Sequence, residues 1–121
     1  MKEFALFFRM NLSDPSQQPS EEQMIEYMNS WNVWIQSIRE KNQLIPGGNH
    51  FSKKGTVLLP GKQQKEGPYE SDNCSVAGYI LIRVNTMEEA INIAKECPIL
   101  NGKNTSVEVR ETHTSEMNQH S

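Results

Sequence analysis

The chain has 121 residues, the length of one domain, with 36% hydrophobic and 22% charged residues. Its 12 Lys and Arg against 15 Asp and Glu give a net charge of −3, which disfavours a general nucleic-acid binder because such proteins carry a basic excess. No apolar run approaches a membrane span and no signal peptide is evident, so we expect a cytoplasmic protein without membrane or direct nucleic-acid partners. The two cysteines, Cys74 and Cys97, lack metal-site spacing; we expect buried thiols, no metal and no cofactor.

The first third of the chain predicts a strand, a loop and a long helix. Residues Glu3 to Met10 are almost continuously apolar, which is typical of a central strand. After a polar loop, Ser20 to Gln23 form a capping box, and the helix is expected to end near Asn42, which can adopt a left-handed conformation. One apolar stripe follows the helical period through Met24, Met28, Trp31, Ile35 and Ile38, widened by Ile25, Tyr27 and Trp34.

The middle of the chain is the least regular part. Leu44 to Phe51 begins apolar and then bends at a Pro-Gly-Gly sequence. Thr56 to Leu59 predicts a short strand, and Pro60 to Asp72 is polar and rich in turn residues. We interpret these segments together as a hairpin-like excursion.

The last third repeats the strand, helix and strand pattern. Val76 to Val84 is the strongest predicted strand because it is rich in β-branched and aromatic residues. A second capping box at Thr86 to Glu89 begins a helix that Pro98 must end. Thr105 to Glu111 alternates as a closing strand. The folded domain is therefore expected over residues 1–111, with 112–121 as a flexible tail.

This order of elements predicts an α+β, ferredoxin-like βαββαβ fold, with two helices on one face of an antiparallel sheet. The opposite face would remain too apolar to meet water, because both central strands are apolar at nearly every position. Pairing two sheets face to face removes that exposure. The sequence therefore predicts a homodimer.

The same segments carry a resemblance to a known family. KEFALFFR at the start, MNSWNVWIQSI with Trp31 and Trp34, EGPY at Glu66 to Tyr69, AGYILI from Ala77, TMEEAINIAKECPIL from Thr86 and SVEVRE from Ser106 occur in the order found in YCII-related, DGPF-domain proteins. The chain resembles these members of the dimeric α+β barrel superfamily from about residue 2 to 111. The resemblance implies dimerisation through the sheets, a cleft between sheet and loops, and an accessory role beside extracytoplasmic-function sigma factors.

The chain also departs from that family's pattern. The Asp-Gly-Pro-Phe motif reads Glu66-Gly67-Pro68-Tyr69, and the acidic residue that usually follows it is Ser71. The His and Asp taken as a possible catalytic pair in the YCII branch fall on Trp31 and Cys97. Neither residue can perform that acid–base work near neutral pH unless the pKa of Cys97 is unusually low. The family's proposed chemistry therefore does not transfer.

Trp31 and Trp34 lie near one another on the predicted helix because they are three positions apart. Core packing is the ordinary role of such a pair, and stacking on a planar or apolar ligand is the alternative. His50 follows a Gly-Gly-Asn turn and is the one histidine within the folded region. It is the best general-base candidate, although a single loop histidine is more often a surface residue.

Glu66 and Tyr69 flank a Gly-Pro turn, so they either stabilise that turn and close the barrel mouth or line the cleft. Arg9, Arg83 and Arg110 lie on predicted strands, where each needs a partner. An ion pair with Glu108, Glu111 or Glu66 is one solution, and anion binding is the other.

Three functional hypotheses follow, of which the third is the accessory role beside extracytoplasmic-function sigma factors that the resemblance implies. The first is a dimeric small-ligand-binding module whose cleft is lined by Trp31, Trp34, His50, Glu66, Tyr69, Arg9 and Arg110. The second is a cofactor-free enzyme of the dimeric α+β barrel type, with His50 or Glu66 as general base.

Overall fold

The structure is a computed structural model, and it describes residues 1–12, 14, 16 and 18–113. Most of the predicted tail, from residue 114 onwards, lies outside the described residues. The elements, in chain order, are β1 (Lys2–Met10), α1 (Glu21–Glu40), β2 (Leu44–His50), β3 (Thr56–Leu59), β4 (Gln63–Glu66), β5 (Ser75–Val84), α2 (Met87–Lys95) and β6 (Ser106–Glu111).

Four strands form the main sheet in the order β2-β5-β1-β6, and every neighbouring pair is antiparallel. Each helix connects two strands that are separated by one strand in the sheet, which is the split βαβ arrangement of a ferredoxin-like fold. The predicted fold class is therefore confirmed. The excursion between β2 and β5 forms a separate two-stranded sheet from β3 and β4.

Helix α1 begins and ends where the sequence predicts. The Ser20 side chain accepts a hydrogen bond from the Gln23 backbone N–H at 3.2 Å, and the Gln23 side chain accepts one from the Ser20 N–H at 2.9 Å. Asn42 follows the helix with a φ of 57°, so an asparagine makes the left-handed turn. These local interactions fix where the helix begins and ends.

Both helices pack on the same face of the sheet. The Trp34 indole Nε1 donates a hydrogen bond to the Ile93 carbonyl at 3.1 Å, which joins α1 to α2. Helix α2 is capped by Thr86, whose side chain accepts from the Glu89 N–H at 3.1 Å. The core beneath the helices is formed by Phe4, Leu6, Phe8, Trp31, Trp34, Ile38, Ile80, Ile82, Val84, Ala90, Ala94, Cys97 and Ile99.

The apolar stripe of α1 is only partly covered. Trp31, Trp34 and Ile38 are buried, whereas Met24, Ile25 and Met28 are 42%, 62% and 40% exposed. The helical period therefore located the stripe correctly, but Met24, Ile25 and Met28 in the first two turns of the helix remain exposed.

The opposite face of the sheet, which we call the open face, combines apolar and charged side chains. Ala5 and Phe7 of β1 pair with Leu81 and Tyr79 of β5 at its centre. Beside them, Arg9 Nη1 lies 2.6 Å from Glu108 Oε1. Arg110 Nη1 lies 3.3 Å from the other oxygen of the same carboxylate.

Candidate functional site

A cavity of about 270 Å³ lies between α1 and β2, and we call it the α1–β2 cavity. Its buried lining residues, Phe8, Trp31 and Ile80, form an apolar floor. Its rim is formed by exposed residues, of which Asn32, Arg39, Asn49 and His50 carry polar side chains and Met28 and Pro46 are apolar. An apolar interior with a few polar groups at its edge is the usual composition of a small-molecule site.

Two glycines allow β2 to close this cavity. A Cβ on Gly48 would lie 2.5 Å from the Tyr79 carbonyl oxygen, and one on Gly78 would lie 2.7 Å from the Asn49 carbonyl oxygen. No side chain fits at either distance, so the close approach of β2 to β5 requires glycine at both positions. The pairing of the two strands shifts register between Ile45 and Asn49, at the same place.

The bend in β2 is held by Tyr79. Its hydroxyl donates a hydrogen bond to the Gly47 carbonyl at 2.9 Å, and Gly47 has a φ of 123° that favours glycine. The strand then continues, and the N–H of Phe51 donates to the Ala77 carbonyl at 2.8 Å. His50 lies between these two hydrogen bonds, which position it at the rim of the cavity.

Trp31 is the centre of an aromatic cluster. Its ring lies 4.7 Å from Phe8 and 5.2 Å from Trp34, both in edge-to-face geometry. The His50 ring lies 5.7 Å from Trp31 with an interplanar angle of 75°. Trp31 is therefore a core residue, as the ordinary interpretation of the sequence predicts, and it also forms a wall of the cavity. Trp34 does not line this cavity; it packs in the core and bonds to α2.

Tyr27 lies beside both Trp31 and Cys97. Burial raises the pKa of Tyr27, the neighbouring Trp31 indole N–H lowers it, and the charge of an ionised Cys97 would raise it further. The indole Nε1 of Trp31 is buried and has no hydrogen-bond partner among the described residues. Its effect on the pKa of Tyr27 is therefore electrostatic.

Cys97 is not an acid or base at neutral pH. Burial raises the pKa of its thiol to about 12, and the side chain is only 2% exposed. The Trp31 and Cys97 positions therefore hold no acid–base pair, as the sequence indicated. Cys74 was also expected to be buried, but it is partly exposed and its thiol donates to the Asn104 carbonyl at 3.0 Å.

Arg9 and Tyr69 line a second cavity, of about 580 Å³, at one end of the main sheet. Arg9 is held there by its ion pair with Glu108, which is the structural alternative given above for the strand arginines. Tyr69 is 72% exposed, so its ring does not close a barrel mouth within one chain. Its backbone carbonyl accepts a hydrogen bond from the Ser75 hydroxyl at 2.8 Å.

The remaining two candidates lie elsewhere. Glu66 is an exposed residue at the end of β4, in the two-stranded sheet. Arg110 is exposed on the open face and paired with Glu108. The seven candidate ligand-binding residues are therefore distributed over several surfaces, and the α1–β2 cavity brings together Trp31 and His50.

Sequence reasoning missed Arg39 and Tyr79, which also line the α1–β2 cavity. A signal for Arg39 existed, because it lies eight positions after Trp31 and so near the same face of the helix. Among the described residues, no group of three His, Cys, Asp or Glu side chains could hold a metal ion. Neither described helix combines the length and apolar character needed to cross a bilayer.

Comparison with known proteins yields no family match and a structural similarity of low score. No family model matches the chain, and no curated protein matches it. Among solved structures, one similar chain is 5-chloro-2-hydroxyhydroquinone dehydrochlorinase from Burkholderia phenoliruptrix, in complex with 2,5-dihydroxybenzoquinone. The two chains share 14% identity with a TM-score of 0.46, over 94% of this chain and 97% of the other. The fold described above rests on strand order and register, without this comparison.

Proposed function

We propose that the protein is a small-ligand-binding module, that it acts as a homodimer, and that its ligand occupies the α1–β2 cavity. The observation that supports this proposal is the contact between Trp31 and His50, with ring centroids 5.7 Å apart, at the wall of a cavity with an apolar floor. An aromatic wall beside polar rim groups favours a small molecule with a flat apolar part.

Enzymatic activity is the alternative, and one observation favours His50 over Glu66 as its general base. His50 lines the α1–β2 cavity, where a bound molecule would be within its reach, whereas Glu66 does not line it. Among the described residues that line the cavity, none is a carboxylate or a thiol that could act as an acid–base partner of His50. Binding without turnover is therefore the simpler function.

The homodimer is proposed from the open face. Phe7 and Leu81 are partly buried within one chain, and they lie on the central strands with no helix over them. A second copy packed sheet to sheet would remove these side chains from water and complete the α+β barrel that the family resemblance implies. Light scattering at micromolar concentration should give twice the chain mass of 13.8 kDa. A mass of one chain would overturn this part of the proposal.

The two tryptophans provide the experiment for ligand binding. The chain contains two Trp residues, and only Trp31 lines the α1–β2 cavity. In Trp34→Phe, Trp31 is the single fluorescent reporter, and in Trp31→Phe it is Trp34. A small-metabolite library is first screened by thermal shift on the unmodified protein, and each hit is then titrated against both variants.

We expect hits to change the fluorescence of Trp31 with a saturable dose dependence and to leave that of Trp34 nearly unchanged. Circular dichroism confirms that both variants fold. His50 is exposed, so His50→Ala should weaken the binding of the hits without lowering the stability of the protein. This variant tests the site even if either Trp variant fails to fold. An absence of hits, or equal changes at both tryptophans, would overturn the proposed site.

We also place the protein in the cytoplasm, which agrees with the free thiols of Cys74 and Cys97. Membership of the YCII-related group remains part of this proposal, supported by the ordered motifs from β1 to β6.

A further inference from the structure

We infer that the α1–β2 cavity selects small planar anions such as aromatic carboxylates, and that Arg39 recognises the anionic group. This inference rests on the proposed function and adds the class of ligand. It follows from the charges around the cavity, from the partners of Arg39, and from the size of the space.

The charge of the lining is opposite to that of the chain. The protein has more acidic than basic residues, with a net charge of −3. The described residues that line the α1–β2 cavity include no carboxylate; those with ionisable side chains are Arg39, His50 and Tyr79, and the Tyr79 ring packs on the open face. A cavity whose charged groups are cationic, above an apolar floor, attracts anions more strongly than the surrounding surface does.

Arg39 is held in place by a neutral group. Its Nη1 donates a hydrogen bond to Gln36 Oε1 at 2.8 Å, and Gln36 Nε2 in turn lies 3.5 Å from Glu40 Oε1. Glu40 does not line the cavity. In contrast, Arg9 and Arg110 are already paired with the Glu108 carboxylate. Within the described part of the chain, Arg39 has no carboxylate within ion-pair distance.

The guanidinium of Arg39 can therefore bind an incoming carboxylate with its remaining donors. Arg recognises planar carboxylates through two parallel hydrogen bonds, a geometry that Lys cannot reproduce. Gln36 orients the guanidinium without neutralising it. His50 stands on the same rim and can donate a further hydrogen bond.

The shape of the cavity limits the rest of the ligand. Its volume of about 270 Å³ is at the lower end of small-molecule sites, which span roughly 300–1,000 Å³. The Trp31 and His50 rings meet at 75°, so a flat ring can lie against one of them and present its edge to the other. A single-ring molecule with one carboxylate matches both the volume and the charge.

Three probes of one shape separate charge from packing: benzoate, the neutral benzamide and the cationic benzylamine. Each is titrated against Trp34→Phe, with Trp31 as the reporter, and by calorimetry against the unmodified protein, which needs no tryptophan variant. We expect benzoate to bind at least about tenfold more tightly than benzamide, and benzylamine to bind most weakly.

Arg39→Gln should weaken the binding of benzoate by about tenfold or more and leave the binding of benzamide unchanged. Lys95→Gln is the matched control, because Lys95 is an exposed cation in the last turn of α2 as Arg39 is in the last turn of α1. It removes the same charge from a helix end away from the α1–β2 cavity and should leave all three probes unaffected.

The outcomes distinguish the two levels of the proposal. Equal binding of benzoate and benzamide, or a benzoate affinity insensitive to Arg39→Gln, would overturn the ligand class while the binding site remains supported. If none of the three probes binds at millimolar concentration and the metabolite screen also fails, the proposed function itself is wrong.

Discussion

The two faces of the main sheet differ in what covers them. On the helix-covered face, Phe4, Leu6 and Ile82 are 0% exposed. On the open face, Phe7 and Leu81 remain partly exposed, although they belong to the same two strands. Successive residues of one strand therefore have very different surroundings.

Strands β1 and β5 therefore have the composition of strands that are covered on both faces. The described helices of one chain cover only one of those faces. Phe7 and Phe51 each pack against Tyr79, with ring centroids 6.3 Å and 5.8 Å apart, so the open face has an aromatic centre. The ion pairs of Glu108 lie beside that centre. An apolar centre next to a charged network is typical of the surface that joins two protein copies.

The largest effect should come from the helix-covered face. Ile82→Ala removes a fully buried side chain and should lower the free energy of unfolding by about 2–5 kcal/mol, because a cavity remains in the core. Leu81→Ala, the adjacent residue on the open face, should cost less at a protein concentration low enough to dissociate the proposed dimer, because its side chain is only partly buried within one chain. Urea unfolding followed by tryptophan fluorescence measures both. Equal losses would contradict the difference between the faces.

The next effect concerns the proposed dimer. Phe7→Arg places a charge at the aromatic centre of the open face and should raise the dimer dissociation constant by roughly thirtyfold or more, equivalent to about 2 kcal/mol. Val33→Arg is the control, because Val33 is 72% exposed on α1 and away from the sheet. Sedimentation across a concentration series should show dissociation of the first variant alone. An unchanged dimer in Phe7→Arg would place the interface elsewhere.

Local signals made much of the fold predictable. Ser20, Asn42 and Thr86 fix helix ends through short-range hydrogen bonds, which depend on a few neighbouring residues. The apolar character of β1 and β5 predicted two central strands, and the order of elements then restricted the topology.

The candidate site was less predictable because it depends on long-range approach. His50 meets Trp31 only because β2 bends over β5 at Gly48 and Gly78, and neither glycine reveals its partner strand in the sequence. Arg39 was missed because its role depends on a cavity that the folded chain creates. The role of Arg9 also depended on the folded chain, since the sequence offered Glu108, Glu111 and Glu66 as possible partners and the structure selects Glu108.

The smallest effect should be the pH dependence of the open-face ion pairs. Hydrogen bonding from Arg9 is the main cause that lowers the pKa of Glu108 below its ordinary value of 4.5; burial opposes it, and hydrogen bonding from Arg110 adds a smaller lowering. The pairs therefore stabilise the folded state above about pH 4.5, and this contribution is lost as pH falls through the lowered pKa. Because the Arg9 and Glu108 side chains are each 36% exposed, solvent screens the pair and we expect less than about 1 kcal/mol.

Glu108→Gln removes this titration, and the difference in unfolding free energy between wild type and variant should shrink as pH is lowered from 6 to about 3. Glu111→Gln is the matched control on the same strand, since Glu111 lies 3.9 Å from Lys2 in a weaker, more exposed pair. Urea unfolding at several pH values, at fixed low salt, measures the two differences. If the difference in unfolding free energy between wild type and Glu108→Gln persists at pH 3, the ion pairs of Glu108 contribute nothing to stability. The open face would then be stabilised by its aromatic centre alone.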